Sequence, residues 1–380
     1  MITVLRIFFM TLFLAAAANA GKSIVENGNL SASAAGKTTL EIRTPGNLGC
    51  EIKVKARSQS TVSLEFEKWC KARNDDDARK FAELIDIRLD DEARRTDGIR
   101  LRVLTPAKAP WEGKNESAGV NLSINVPPNF TIDSKSSFST VDLIGPLAGA
   151  FIGNEYGDIS VADVNGQIDI NSSYSKIELS RIVGLVNIEA DYSGIEGNDI
   201  ELRGARGAFS TSYGAVELTN IKGSLEVNTS YNAISISQVD AGDGNIVLRT
   251  SYGRIDADDV IGELICETSF SNVNLRRLNL PRGLSSIETK YSTIDVEVAS
   301  IGDAKLTINN TYNNVNLSLP QNVSARVSLM VDRGGKIHTR GFPIKPVSLD
   351  RNHLEGIIGD GRSLIEVTVD GIGEINLSGR

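Results

Sequence analysis

Histidine is almost missing from this 380-residue chain, which has only His338 and His353. Neither has partners at zinc-ligand spacing or a nucleophile motif beside it, so a zinc centre and a histidine-based relay both lack their parts. Long apolar runs are as scarce: residues 7–18 are too few for a comfortable membrane span, and no second long apolar segment occurs. The glycine-rich piece at 356–361 lacks the strand-turn-helix context of a phosphate loop. Positive charge is in deficit as well. The net charge is −8, and residues 131–319 carry 25 Asp and Glu against 13 Lys and Arg. Such a surface repels nucleic-acid phosphates and anionic headgroups, which leaves basic peptides, neutral glycans and cations as ligands.

Cysteine is limited to three residues. Cys50 and Cys70 lie on alternating segments, 50–56 and 62–70, and a hairpin centred near Ser60 would set them opposite each other. A Cys50–Cys70 disulfide is therefore expected, in keeping with an oxidising compartment. The start of the chain points to the same compartment. Residues 1–6 are basic, 7–18 apolar, and Ala18-Asn19-Ala20 offers the small residues a signal peptidase reads, so residues 1–20 read as a signal peptide and Gly21 as the mature start. The residue after the cut is not Cys. The expectation is an exported protein, periplasmic or extracellular, with no integral membrane segment after cleavage.

What the chain does have is a repeat. All eight tyrosines stand on one ladder, Tyr156, Tyr174, Tyr192, Tyr213, Tyr231, Tyr252, Tyr291 and Tyr312, and Phe138 and Phe270 fill its remaining places, with steps of 18 or 21 residues. Three residues after each aromatic stands Val or Ile, from Val141 to Val315. Four before it stands an apolar residue, from Ile152 to Ile308, including Cys266, which a core column would use as a small apolar filler. The flanking segments alternate, as in Ser224-Leu225-Glu226-Val227-Asn228-Thr229, and the residue after the aromatic is always Gly, Ser or Asn. Alternation bounded by turn residues reads as strands, and strands recurring at this period read as a parallel β-solenoid of 18–21 residues per coil. Ten coils at about 4.8 Å would make a stack of roughly 45 Å, and right-handed winding is favoured by the handedness of parallel crossovers.

The flanks lack the ladder. Residues 21–130 read as a small β domain, its strands interrupted by one helix that starts after Asn74 with Asp75, Asp76 and Asp77 in the first turn and carries Phe81, Leu84 and Ile85 on one face. Residues 105–119, with two prolines and Trp111, read as a long loop, and Pro127-Pro128 marks the join to a repeat domain at 131–319. Residues 320–380 hold further strands suited to capping the last coil, whose edge would otherwise stay unpaired.

The segment Leu40-Glu41-Ile42-Arg43-Thr44-Pro45-Gly46, the strands and helix after it, Leu122-Ser123-Ile124-Asn125-Val126-Pro127, the recurring Thr-Ser-Tyr-Gly and the closing Leu354-Glu355-Gly356 follow one another as in the bacterial putative-adhesin family of β-strand repeats, which the chain resembles over nearly all of its mature length. The resemblance implies an all-β solenoid behind an N-terminal β domain, a role in adhesion or cell-envelope stress sensing, and no catalytic residues. Tyrosine is a departure, since relatives in that family place small residues there.

Four residues after the aromatic runs a polar column rich in acid: Asp142, Ser160, Glu178, Glu196, Glu217, Ser235, Asp256, Asn274, Asp295 and Asn316. It reads either as a solvated face or, through Glu178, Glu196, Glu217, Asp256 and Asp295, as a surface for a weakly held divalent cation or a basic ligand. The aromatics read as a buried ladder that locks register or, at an open corner, as a platform for sugar rings. The threonines two residues before them, Thr211, Thr229, Thr250, Thr268 and Thr289, read as an inward hydroxyl ladder. No cofactor is implied. The expected function is a non-enzymatic adhesin-like or envelope-binding scaffold for a protein or glycan. The rival is a polysaccharide lyase or hydrolase using Arg254, Asp256 and Asp258 with Arg276 and Asp295.

Overall fold

The computed structural model describes residues 11–12, 22–91, 97–112, 115–332 and 334–380. The expected signal peptide lies outside these residues except for Thr11–Leu12, which pair antiparallel with Asn27 and Glu26. The chain is all-β, 69% strand against 3% helix, as two-residue alternation requires. It forms two compact units, Met1–Gly184 and Leu185–Arg380, so the division falls within the repeat.

In the first unit, Ser139–Tyr156, Ile159–Tyr174 and Lys176–Gly184 run parallel. Val141 pairs with Ile159 and Ile159 with Ile177, an offset of 18 residues, so the sequence period is the hydrogen-bonding period. The N-terminal strands continue this pairing. Thr39–Arg43 lies between Gly98–Leu104 and Thr131–Lys135, and Gly49–Ala56 between Ser117–Val126 and the start of Ser139–Tyr156, all parallel. Thr61–Ala72 then adds antiparallel to Ser117–Val126, and Lys22–Ser33 to Thr61–Ala72.

That order overturns the expected disulfide. Ser117–Val126 stands between the two cysteine-bearing strands, with Val120 opposite Cys50 and Ala118 opposite Cys70. Two strand spacings are about 10 Å, beyond the reach of a disulfide. Cys50 and Cys70 are free and buried. Local alternation suggested a hairpin, but Ser117–Val126, from far along the chain, occupies the place between. Reducing and non-reducing peptide maps should therefore coincide, with all three thiols alkylated only after denaturation; a Cys50–Cys70 linked peptide would refute this strand order.

The helix Asp75–Glu83 begins where its signals put it: the Asn74 side chain accepts from the Asp77 N–H at 2.9 Å. Phe81 and Ile85 are buried, whereas Leu84 ends the helix and is exposed. Phe81 meets Trp111 edge-on at 5.9 Å, and the Trp111 indole donates to the Asn47 carbonyl, so the expected loop at 105–119 is pinned by the short turn Pro110–Glu112.

The second unit repeats the parallel register at larger scale. One column runs Ile195, Val216, Ile234, Ile255, Val273, Ile294, Val315 and Ile375, another Ile188, Phe209, Val227, Leu248, Cys266, Ile287, Ile308 and Val367, each residue opposite the next. All are fully buried or nearly so. Each apolar side chain contributes about 1.5–3 kcal/mol only when its neighbours cover it, so no single repeat is stable alone. Where the step is 21 residues, the three extra residues fall at a corner, as between Asp240 and Asn245. The last strands do not simply follow on. Ser363–Val369 is inserted between Ile294–Asn310 and Ala325–Val331, and Glu374–Gly379 between Val315–Leu319 and Lys336–Arg340, parallel to both neighbours in each case.

Candidate functional site

Tyr213, Tyr231, Tyr252, Phe270 and Tyr291 each sit on a turn whose inner side carries a buried threonine. Thr211 Oγ1 donates to the carbonyls of Asp191 and Ser193 in the preceding repeat and accepts from the Gly214 N–H. Thr229 donates to the Gly214 carbonyl, Thr250 accepts from the Gly253 N–H, and Thr268 donates to the Gly253 carbonyl. The expected inward hydroxyl ladder is therefore present. Asn310 plays the same part with its amide, donating to the carbonyls of Ser292 and Asn313. The strand ends at or just before the inner residue, and the aromatic two positions later stands on the bend beyond it, exposed.

The aromatic side chains are consequently not in the core. Phe138, Tyr156 and Tyr174 in the first unit, and Tyr192, Tyr213, Tyr231, Tyr252, Phe270, Tyr291 and Tyr312 in the second, are 42–54% exposed. Within each unit neighbouring rings stack nearly parallel, from 4.5 Å between centroids at Tyr192–Tyr213 to 5.3 Å at Tyr231–Tyr252. Stacking covers the faces and leaves the edges and hydroxyls in water. The platform expected for sugar rings needs open faces, which the inner rings do not offer. Tyr192 and Tyr231 raise the Tyr213 hydroxyl above its ordinary pKa, because a phenolate there would face two further phenols. Register carried one step beyond the paired residues places Gly49 beside Phe138, and Gly371 lies against the Tyr312 ring. Ile372, the next residue, is 82% exposed.

The acidic column is interrupted by amides. Asn274 donates to Asp256 at 2.8 Å, Asn316 to Asp295 at 2.6 Å, and Asn376 to Asn316 at 2.9 Å. Glu178 pairs with Lys176 at 2.6 Å, and Glu196 lies opposite Glu217 in register. Among the described residues no group of three or more His, Cys, Asp or Glu is placed to hold a metal ion. The rival catalytic cluster is also engaged: Arg254 holds Asp256 at 2.7 Å and Arg277 holds Asp258 at 2.6 Å, while Arg276 and Asp295 line an open groove with Glu297 and Asn316. His338 lies 3.6 Å from Glu374, and His353 3.6 Å from Glu355. Among the described residues, no helix is long and apolar enough to cross a membrane.

Fold and site together define an all-β repeat protein with an outward aromatic stripe. No family model and no curated protein matches the chain. Among solved structures it is similar to a crystal structure of a putative cell adhesion protein from Clostridium sporogenes, with 9% identity and a TM-score of 0.21 over 94% of this chain and 100% of that one. That superposition is too loose to carry fold or function across.

Proposed function

We propose that the protein is an exported, non-enzymatic adhesin-like scaffold of the cell envelope, a right-handed β-solenoid between an N-terminal β domain at 21–130 and capping strands at 320–380. Its aromatic stripe engages an envelope or extracellular partner. The observation that carries this reading is the row of seven half-exposed rings in Leu185–Arg380, five of them on threonine-held turns. An exposed apolar stripe of that length marks an interaction surface. Its neighbours suit recognition too: Tyr supplies stiff amphipathic contact area, and the intervening Ser, Gly and Asn supply adaptable hydrogen bonds.

The test is retention of the labelled full chain on cell envelopes and on a polysaccharide panel, with newly formed chain ends scored in the same samples. Retention without cleavage is expected, falling about 10-fold in Tyr213→Ala/Tyr231→Ala. Each substitution should cost about 2 kcal/mol of stability and leave the fold intact, since half of each ring is already in water. New chain ends would instead establish the lyase or hydrolase reading and direct attention to Arg254, Asp256 and Asp258. Retention indifferent to both substitutions would move the site off the stripe.

A further inference from the structure

The residue just before each aromatic in the second unit is uncharged with two exceptions. The column runs Asp191, Ser212, Ser230, Ser251, Ser269, Lys290 and Thr311. The residue just after the aromatic is uncharged throughout: Ser193, Gly214, Asn232, Gly253, Ser271, Ser292 and Asn313. Asp191 and Lys290 are exposed, of opposite sign, and five repeats apart. The six rings from Tyr192 to Tyr291 form a neutral stretch with an acid at one end and a base at the other, and that stretch is self-complementary when a second copy lies antiparallel to it. A two-fold axis midway between Tyr231 and Tyr252 brings Asp191 of each copy to Lys290 of the other. It also sets Tyr192 against Tyr291, Tyr213 against Phe270, and Tyr231 against Tyr252. Parallel copies would place like charges together at both positions.

From this we infer that the stripe's partner is a second copy of the same chain, docked antiparallel, so that adhesion is homotypic. The inference rests on the stripe being the binding surface proposed above. Spacing supports it. Rings 4.5–5.3 Å apart follow the strand spacing, and a second copy has the same repeat and stays in step along the whole row. Area supports it as well: six rings, each about half exposed, offer on the order of 600 Å² per copy, and the serines beside them bring this near the roughly 800 Å² of a stable interface. Charge restricts the geometry, because chains of net charge −8 repel one another wherever acidic faces meet. An isologous contact of this kind closes on itself as a dimer.

Sedimentation equilibrium of the full chain across a concentration series tests the inference. A monomer–dimer equilibrium is expected, with Asp191→Lys and Lys290→Asp each raising Kd about 10-fold and the double reversal returning it to near the parent value. That rescue separates pairing from damage to the fold, and circular dichroism of each variant gives a second check. Tyr231→Ser/Tyr252→Ser, which removes the rings at the axis, should leave monomer only. Monomer at every concentration, or a dimer unmoved by single charge reversal, would overturn the inference. If that monomer still binds envelopes and loses binding in Tyr213→Ala/Tyr231→Ala, the binding surface stands and only its occupant was wrong. If it binds nothing, the surface falls too.

Discussion

Gly166→Val is expected to cost the protein about 4 kcal/mol, read as a drop in urea midpoint with an unchanged m-value. A Cβ on Gly166 would lie 1.8 Å from the Ala148 carbonyl oxygen and 2.8 Å from its carbon. Both atoms are backbone. No rotamer change relieves the overlap, and the two strands must move apart where Leu147 pairs with Val164 and Gly149 with Gln167. Gly153→Ala is the control in the same sheet. Its Cβ would meet nothing closer than the Lys135 Cγ at 4.0 Å, and alanine removes the entropy that glycine loses on folding, so it should be neutral or slightly stabilising. A cost below about 1 kcal/mol for Gly166→Val would mean that the strands do not approach as described.

Gly166 shows what in the fold was legible. The sequence marks glycine at Gly166, Gly184, Gly223 and Gly262, two residues after an apolar position, and turn chemistry accounts for it there; that Gly166 is required by contact with the previous repeat depends on register. The two apolar columns flanking the aromatic were readable because parallel pairing repeats one burial decision in every repeat, so even a weak preference becomes a visible period. A corner was signalled without being recognised. Core positions at Ile234, Ile236 and Val239 are spaced two and then three residues apart, and an odd step would throw the third side chain outward. Gln238 between them is left-handed, φ 55°, which restores the inward phase. The same place is left-handed at Asp163, Arg181, Asp199, Asn220, Asp259 and Arg277. Four of those seven residues are Asp or Asn, the types that best tolerate that conformation.

The site was legible in part for a related reason. Tyrosine and threonine two residues apart cannot be sorted into inside and outside by period alone, since a turn interrupts alternation. Small size and a hydroxyl within reach of three backbone groups put Thr211 inside and leave Tyr213 out. Nothing local could reveal the strand between Cys50 and Cys70, because Ser117–Val126 reaches that place from far along the chain. The inserted C-terminal strands have the same origin.

Those cysteines give the second large effect, a steep loss of stability between pH 9 and pH 12. Burial is the leading cause that pushes the thiols of Cys50 and Cys70 up to about 12 from 9.0, and it raises Cys266 as well. Below pH 9 the thiols are protonated in folded and unfolded chains alike, and stability is fully present. Above pH 9 the unfolded chain releases its thiol protons while the folded one keeps them, so the unfolded state binds fewer protons and gains with rising pH. At pH 11 Cys50 and Cys70 each shift the balance by about 3 kcal/mol and Cys266 adds to them in the same direction, a total comparable with the whole stability of an ordinary domain. Tyr213, whose pKa is also raised, acts in the same direction. Urea midpoints from pH 8 to pH 11 should fall steeply for the parent and much less for Cys50→Ala/Cys70→Ala/Cys266→Val, whose residual slope includes Tyr213. Equal slopes would mean that the thiols ionise in place and that water reaches them in the folded protein, which contradicts the strand order that buries Cys50 and Cys70 on either side of Ser117–Val126.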